Sequence, residues 1–322
     1  MKIKHIISVV LLFCITLTGF AQGNKSNTLK FRFATRAEAQ MLLTDIDNFS
    51  NGLNQFDIDL RLQKPNSRKS EWLRLAMNEA KNWGDVEKDK MTNAFKAIKS
   101  NIKKLNLSLT YPDEIILLKT TMKEELNVIA YTRKNWIAVG EEFINTASSE
   151  QLQYLISHEL FHLLTRKSTE FKRAAYEVIG FKVLNQEIAL PSDVIAKRIS
   201  NPDIERRDSY IELSVDGVPT KCVQLIYTTK PFTGGQVLDY MNVGFIPLNE
   251  DLIPNMKEGQ TVIIPAAQVA EEYQLKVGKN TQYTIDPEEV LADNFSYLLM
   301  NKQNLPDPDI TQALQKAFII KK

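Results

Sequence analysis

Histidine is nearly absent from this chain. Only three occur in 322 residues, and just two lie beyond the first few residues. Cysteine is as scarce, with Cys14 in an apolar N-terminal run and Cys222 alone further on, so no intramolecular disulfide can staple the processed chain. Charge of one sign is lacking too. The formal net charge is +1, falling to near −1 once Lys2 and Lys4 are removed with a leader. That balance gives no basic surface for nucleic acid and no attraction to an anionic membrane. Internal repeats and low-complexity tracts are missing as well, while 43% hydrophobic and 25% charged residues are ordinary for a folded globular protein.

The one long hydrophobic run is at the start. MKIKHIISVVLLFCITLTGFAQG has two lysines, then apolar residues from Ile6 to Phe20. Gly19 and Ala21 supply small residues at −3 and −1, so residues 1–21 read as a signal peptide cleaved after Ala21. The run is short for a membrane span and polar chain follows it, which predicts an exported protein, periplasmic or secreted, with no stable membrane insertion after leader removal. Leu11, Leu12 and Phe13 before Cys14 are too large for a lipidation site.

The two remaining histidines stand together. The stretch SSEQLQYLISHELFHLLT, from Ser148 to Thr165, places His158, Glu159 and His162 in the spacing H-E-x-x-H. On an α-helix, positions i and i+4 lie one above the other, with Cβ atoms about 5–6 Å apart, so both imidazoles can converge on one Zn²⁺. Glu159, one step round, can reach a water on that metal as general base. Ser148 and Gln151 form a capping box, and Leu152, Leu155, Ile156, Leu160, Leu163 and Leu164 make a wide apolar face. The bland alternative is a helix whose histidines are satisfied by neighbouring carboxylates. A buried polar strip on a helix is nonetheless costly unless something charged binds there.

The rest of the chain falls into an N-terminal helical region, residues 24–110, and a domain spanning residues 111–322. Thr35 with Glu38 opens a helix to about Ile46. Asp57 to Leu62, DIDLRL, alternates like a short strand or an extended connection. Helices are expected over Ser70–Trp83 and Asp85–Leu105. Glu114–Thr120, Asn127–Thr132 and Trp136–Gly140 read as strands immediately before the motif helix. Trp136–Gly140 is the candidate edge strand that would align a peptide through added ladder hydrogen bonds, and packing against the helix alone is an equal alternative. Thr169–Val183 reads as helix, and residues 200–284 as a β-rich insert with a hairpin turning at Asp216-Gly217. Asp286 as N-cap and Pro287 at the first helical position open DPEEVLADNFSYLLMNK, and a last helix covers Ile310–Ile319.

A catalytic zinc site needs three protein ligands and an open position. With no third histidine, the ligand must be a carboxylate, or less plausibly Cys222. Glu289 on the helix after Asp286 fits, and Asp293 one turn on can accept the second N–H of a ligand histidine. Glu288 is the rival ligand; the bland reading of it is a solvated acidic first turn favoured by the helix dipole.

His158-Glu159-Leu160-Phe161-His162 followed by Glu289-Val290-Leu291-Ala292-Asp293 resembles the gluzincin clan of zinc metallopeptidases. The resemblance covers these two helices, with a longer stretch between them than that clan usually has. It implies an α+β, zincin-like fold with a small mixed sheet packed on the HExxH helix. It implies Zn²⁺ held by His158, His162 and Glu289, Asp293 orienting a histidine, and Glu159 as general base in hydrolysis of a peptide or protein substrate. Tyr210 and Tyr176 are the candidates for a second oxyanion donor. Two other functions compete: a non-catalytic binding or scaffold protein on the same frame, and a zinc hydrolase of a non-peptide amide.

Overall fold

In the computed structural model, residues 28–319 are described, so the proposed leader, with His5 and Cys14, lies outside them. The chain is a mixed α+β structure with two main sheets. Among the described residues, no helix is long and apolar enough to cross a membrane.

The first sheet comprises β1 (Phe31–Phe33), β2 (Ala80–Lys81), β3 (Ile115–Thr120), β4 (Ala130–Arg133) and β5 (Trp136–Gly140). β3 and β5 run parallel at its centre, β1 lies parallel to β3, β2 pairs antiparallel with β3, and β4 closes the other edge antiparallel to β5. Alternate residues of β3 face opposite layers. Ile115 and Leu117 join the core that holds Met91, Phe95 and Ile98 of α5 (Asp85–Lys104) and Leu152, Ile156 and Leu160 of α7 (Ser149–Lys167). Ile116 and Leu118 meet Ala39 and Leu43 of α1 (Arg36–Leu43) and Ala76 of α4 (Lys69–Glu79). Burial on both faces explains why these strands read as continuous apolar runs. One core therefore crosses position 110, and the N-terminal helices share it with the motif helix.

Between them, α2 (Asn48–Gly52) and α3 (Gln55–Leu62) overturn the extended reading of DIDLRL. Asn54 accepts from Asp57 N at 2.8 Å and Asp57 accepts from Asn54 N at 3.2 Å, a reciprocal cap. The alternation misleads because its charged residues are buried: Asp57 accepts from Ser200 N and Oγ at 2.8 and 2.7 Å, and Arg61 pairs with Glu125. The helix of residues 70–83 also ends earlier, at Glu79, because β3 recruits Ala80 and Lys81 as a strand.

After α6 (Glu141–Thr146) and α7 comes α8 (Thr169–Val178). It stops before Gly180, whose φ of +78° breaks the helix, so Phe181–Val183 is strand β6 rather than helix. Beyond α9 (Ser192–Lys197), β6 pairs with β7 (Ser209–Val215), followed in space by β8 (Val218–Tyr227), β9 (Asn242–Pro247) and β12 (Ile264–Pro265), antiparallel throughout. Asp216 and Gly217, at φ 51° and 81°, form the expected two-residue turn between β7 and β8. A ribbon of β10 (Met256–Lys257) and β11 (Gln260–Thr261) leads on to α10 (Ala270–Val277), α11 (Pro287–Leu299) and α12 (Pro308–Phe318). All thirteen residues of α11 are buried, and it packs along α7.

Candidate metal centre

Two well-capped helices make the site. Ser148 Oγ accepts from Gln151 N at 3.2 Å and Gln151 returns the bond to Ser148 N at 2.8 Å, fixing the start of α7. Asp286 accepts from Glu288 N at 3.0 Å and Pro287 sits in the first turn of α11. Glu288 and Glu289 thus stand at the positive end of the α11 dipole, facing the imidazoles of α7.

His158, His162 and Glu289 form a group whose ligand atoms all lie within 4.8 Å of one another and which can hold a metal ion. Glu289 Oε2 is 3.0 Å from His158 Nε2 and 3.8 Å from His162 Nε2. The outer nitrogens are taken. His158 Nδ1 donates to Asp293 Oδ1 at 2.9 Å, and His162 Nδ1 donates to Glu288 Oε1 at 3.1 Å. That leaves both Nε2 atoms turned towards Glu289, and without a metal His158 Nε2 hydrogen-bonds to its Oε2. His162 Nε2 is buried with no hydrogen-bond partner, which in a dry interior costs about 1–3 kcal/mol. A cation placed among these three groups removes that cost, so the residues present fit a metal.

Asp293 stands where the sequence puts it, holding His158, and it also accepts from Tyr154 Oη at 2.5 Å. Glu288 is different from both earlier readings. It is 3% exposed, not solvated, and it serves His162 from the outside rather than joining the ligand group. Thr165 Oγ1 and Tyr176 Oη donate to it, each at 2.5 Å. Tyr176 is therefore committed to Glu288. Tyr210 stands under the Lys221 ammonium, 5.7 Å from its ring, and neither tyrosine lines the cleft at the site. Tyr154 and Tyr283 do. Cys222 is buried in β8 with its thiol pushed up to about 12 by burial, and it lies outside the ligand group.

Electrostatics follow from this crowding. Burial works against a charged His158, but Asp293 and Glu289 outweigh it and hold the imidazole well above its usual range. His162 is raised against burial by Asp203 and Glu288. Burial favours protonation of Asp293 and Glu288, yet His158 and His162 respectively pull them below the usual carboxylate range.

Glu159 is buried beside the group, its Oε2 accepting from Thr132 Oγ1 at 2.7 Å. Thr132 belongs to β4, so the strand at the site's edge is Ala130–Arg133. Trp136–Gly140, expected as the edge, lies inside the sheet between β3 and β4. The segment Ser200–Asp203 crosses the site from the other side. Asn201 Nδ2 donates to Glu289 Oε1 at 2.5 Å, and Asp203 Oδ1 accepts from Thr132 N at 2.7 Å. Asp203, Glu159 and His162 again have ligand atoms within 4.8 Å of one another. Thr132 fell at the end of an expected strand, but nothing in the sequence marked Thr132, Asn201, Asp203 or Tyr283 as belonging to a site. The site opens into a cleft of about 490 Å³. No protein-family model, curated protein or solved structure matches the chain.

Proposed function

We propose that the chain is an exported zinc-dependent metallopeptidase of gluzincin type, with a zincin-like core formed by the first sheet, α7 and α11. The observation that carries this reading is the inward pair of Nε2 atoms, one buried without a partner, closing on Glu289 while both Nδ1 atoms are fixed by carboxylates. Two imidazoles and one carboxylate are a donor set for Zn²⁺ with a coordination position left open.

When bound, zinc supplies Lewis acidity towards a carbonyl oxygen and makes water acidic enough to lose a proton near neutral pH. The remaining work falls to the chain's own groups. Glu159, positioned by Thr132, takes the proton of the attacking water and passes it to the leaving nitrogen. The water oxygen bonds to the carbonyl carbon, the C–N bond breaks, and a carboxylic acid and an amine leave. Asp293 and Glu288 keep the imidazoles in the tautomer whose Nε2 faces inward. Tyr283, whose hydroxyl is held in its protonated form by the charge of Glu289, offers a donor at the cleft wall.

The test pairs metal with rate. Purified mature protein is expected to bind one zinc and cut a peptide library, and Glu159→Gln to keep the zinc while losing at least about 100-fold in rate, the scale of a lost general base. Protein that takes up no zinc, or a Glu159→Gln variant that cuts at the native rate, refutes the reading.

A further inference from the structure

The edge of β4 is only half available. In its antiparallel register with β5, Thr132 faces Ile137 and Ala130 faces Val139. Backbone groups along a strand alternate in direction, so those of Ala130 and Thr132 leave the sheet on the same outer side. At Thr132 both are taken. Its N–H donates to Asp203 Oδ1 at 2.7 Å, and its carbonyl accepts from Arg166 Nη2 at 3.1 Å. Arg166 Nη2 also donates to the carbonyls of Pro202 and Asp203, at 2.9 and 3.0 Å, so this segment is strapped against the strand. The strap is anchored from beyond, since Asp57 and Arg61 of α3 bind Ser200 through its N, Oγ and O. Ala130 and Tyr131 line the cleft, whereas Thr132 does not.

A peptide adding to this edge can pair at Ala130 and then meets Asp203 about two residues further, roughly 7 Å along a strand. Which end meets it follows from direction and charge. β4 runs from Ala130 to Arg133, so an antiparallel peptide has its N-terminal side next to Thr132. A parallel peptide would bring a carboxylate there instead. Asp203 Oδ2 is engaged by no donor among the described residues, and Asp203 and Glu159 have carboxylate oxygens within 4.8 Å of each other. Burial together with Glu159 pushes the Asp203 carboxyl well above its usual range, a crowding that an arriving cation relieves. An ammonium suits that end and a carboxylate does not. The walls on the open side are apolar: Leu126, Val128, Ile129, Ile226, Leu238 and Met241. Val128, Ile129 and Leu238 are 41%, 50% and 73% exposed, an unusual apolar display for a surface without an occupant.

We propose that this site acts on the amino-terminal end of peptides with apolar side chains, Asp203 receiving the free α-ammonium group and the Ser200–Asp203 strap blocking longer chain on that side. The proposal rests on the peptidase reading. It is tested with two hexapeptides of one apolar sequence, one with a free α-amine and one N-acetylated. Zinc-loaded native protein is expected to cut the free peptide within two residues of its N-terminus. Acetylation is expected to lower kcat/KM at least about tenfold, chiefly through KM, the size of one partly desolvated charge pair. Asp203→Asn should shrink that gap to under about threefold. Binding of the same two peptides to zinc-loaded Glu159→Gln protein, read by calorimetry, gives an answer without turnover. Equal Kd values for the two, equal cutting, or cuts spread through the interior overturn the proposal. A free-amine preference in binding with no hydrolysis by the native protein would instead sink the peptidase reading, and the cutting with it, while leaving Asp203 as the receiver of the α-ammonium group.

Discussion

Glu288→Gln isolates what an outer carboxylate does for the metal. Glu288 is buried and accepts from His162 Nδ1 at 3.1 Å and from Thr165 Oγ1 and Tyr176 Oη at 2.5 Å each. Glutamine keeps the shape, and its amide oxygen can still accept from two of these donors. What vanishes is the negative charge behind His162, which fixes the tautomer and raises the basicity of Nε2. Loss of such an outer partner weakens metal binding by about 10–100-fold, or roughly 1.4–2.7 kcal/mol. Competition with a chromophoric chelator measures this directly, with circular dichroism as the check on folding. Tyr176→Phe is the contrast. It removes one donor to Glu288 and leaves the bond to His162, so it is expected to cost about 1–3 kcal/mol of stability and to move the zinc Kd less than about threefold. A folded Glu288→Gln protein with native zinc affinity would refute the assignment of Glu288 to His162.

Arg61→Met leaves Asp57 and Glu125 buried without their cation, a loss of about 3–5 kcal/mol in urea unfolding, whereas a change under 1 kcal/mol would mean the cluster is solvated. In the metal-free protein His158 is held above its ordinary value, so its contribution to stability is full below about pH 6.5 and is lost as pH rises through its folded value. Zinc needs the unprotonated ring, so zinc affinity climbs over that same window and uptake at neutral pH releases protons. Chelator-treated melts that rise through this window, or calorimetry showing no proton release, would contradict it.

The helices that carry chemistry were legible because their caps are local. Ser148 with Gln151, and Asp286 with Pro287, mark the starts of α7 and α11 within a few residues, and the leucine stripe marks the buried face. The strands before the motif were legible as apolar runs. Their order was not, since β5 is drawn inside the sheet by its parallel pairing with β3, while β4 pairs with β5 alone. Glu288 and Glu289 look alike in sequence and differ only in which histidine nitrogen each meets. In α3 the pattern failed because Asp57, Asp59 and Arg61 are charged yet buried, each satisfied by a partner that periodicity cannot register. The Ser200–Asp203 strap was invisible for the same reason: its significance lies in what it touches.

His162 and Glu289 come from opposite ends of a long excursion that includes the whole second sheet. An ion held by both residues would tie the two ends of that excursion in the folded chain, adding to the bonds His162 and Thr165 already make to Glu288. It would stabilise by binding the folded form rather than by narrowing the unfolded ensemble as a disulfide does. Metal uptake would then steady the second sheet's attachment and complete the candidate site at the same time.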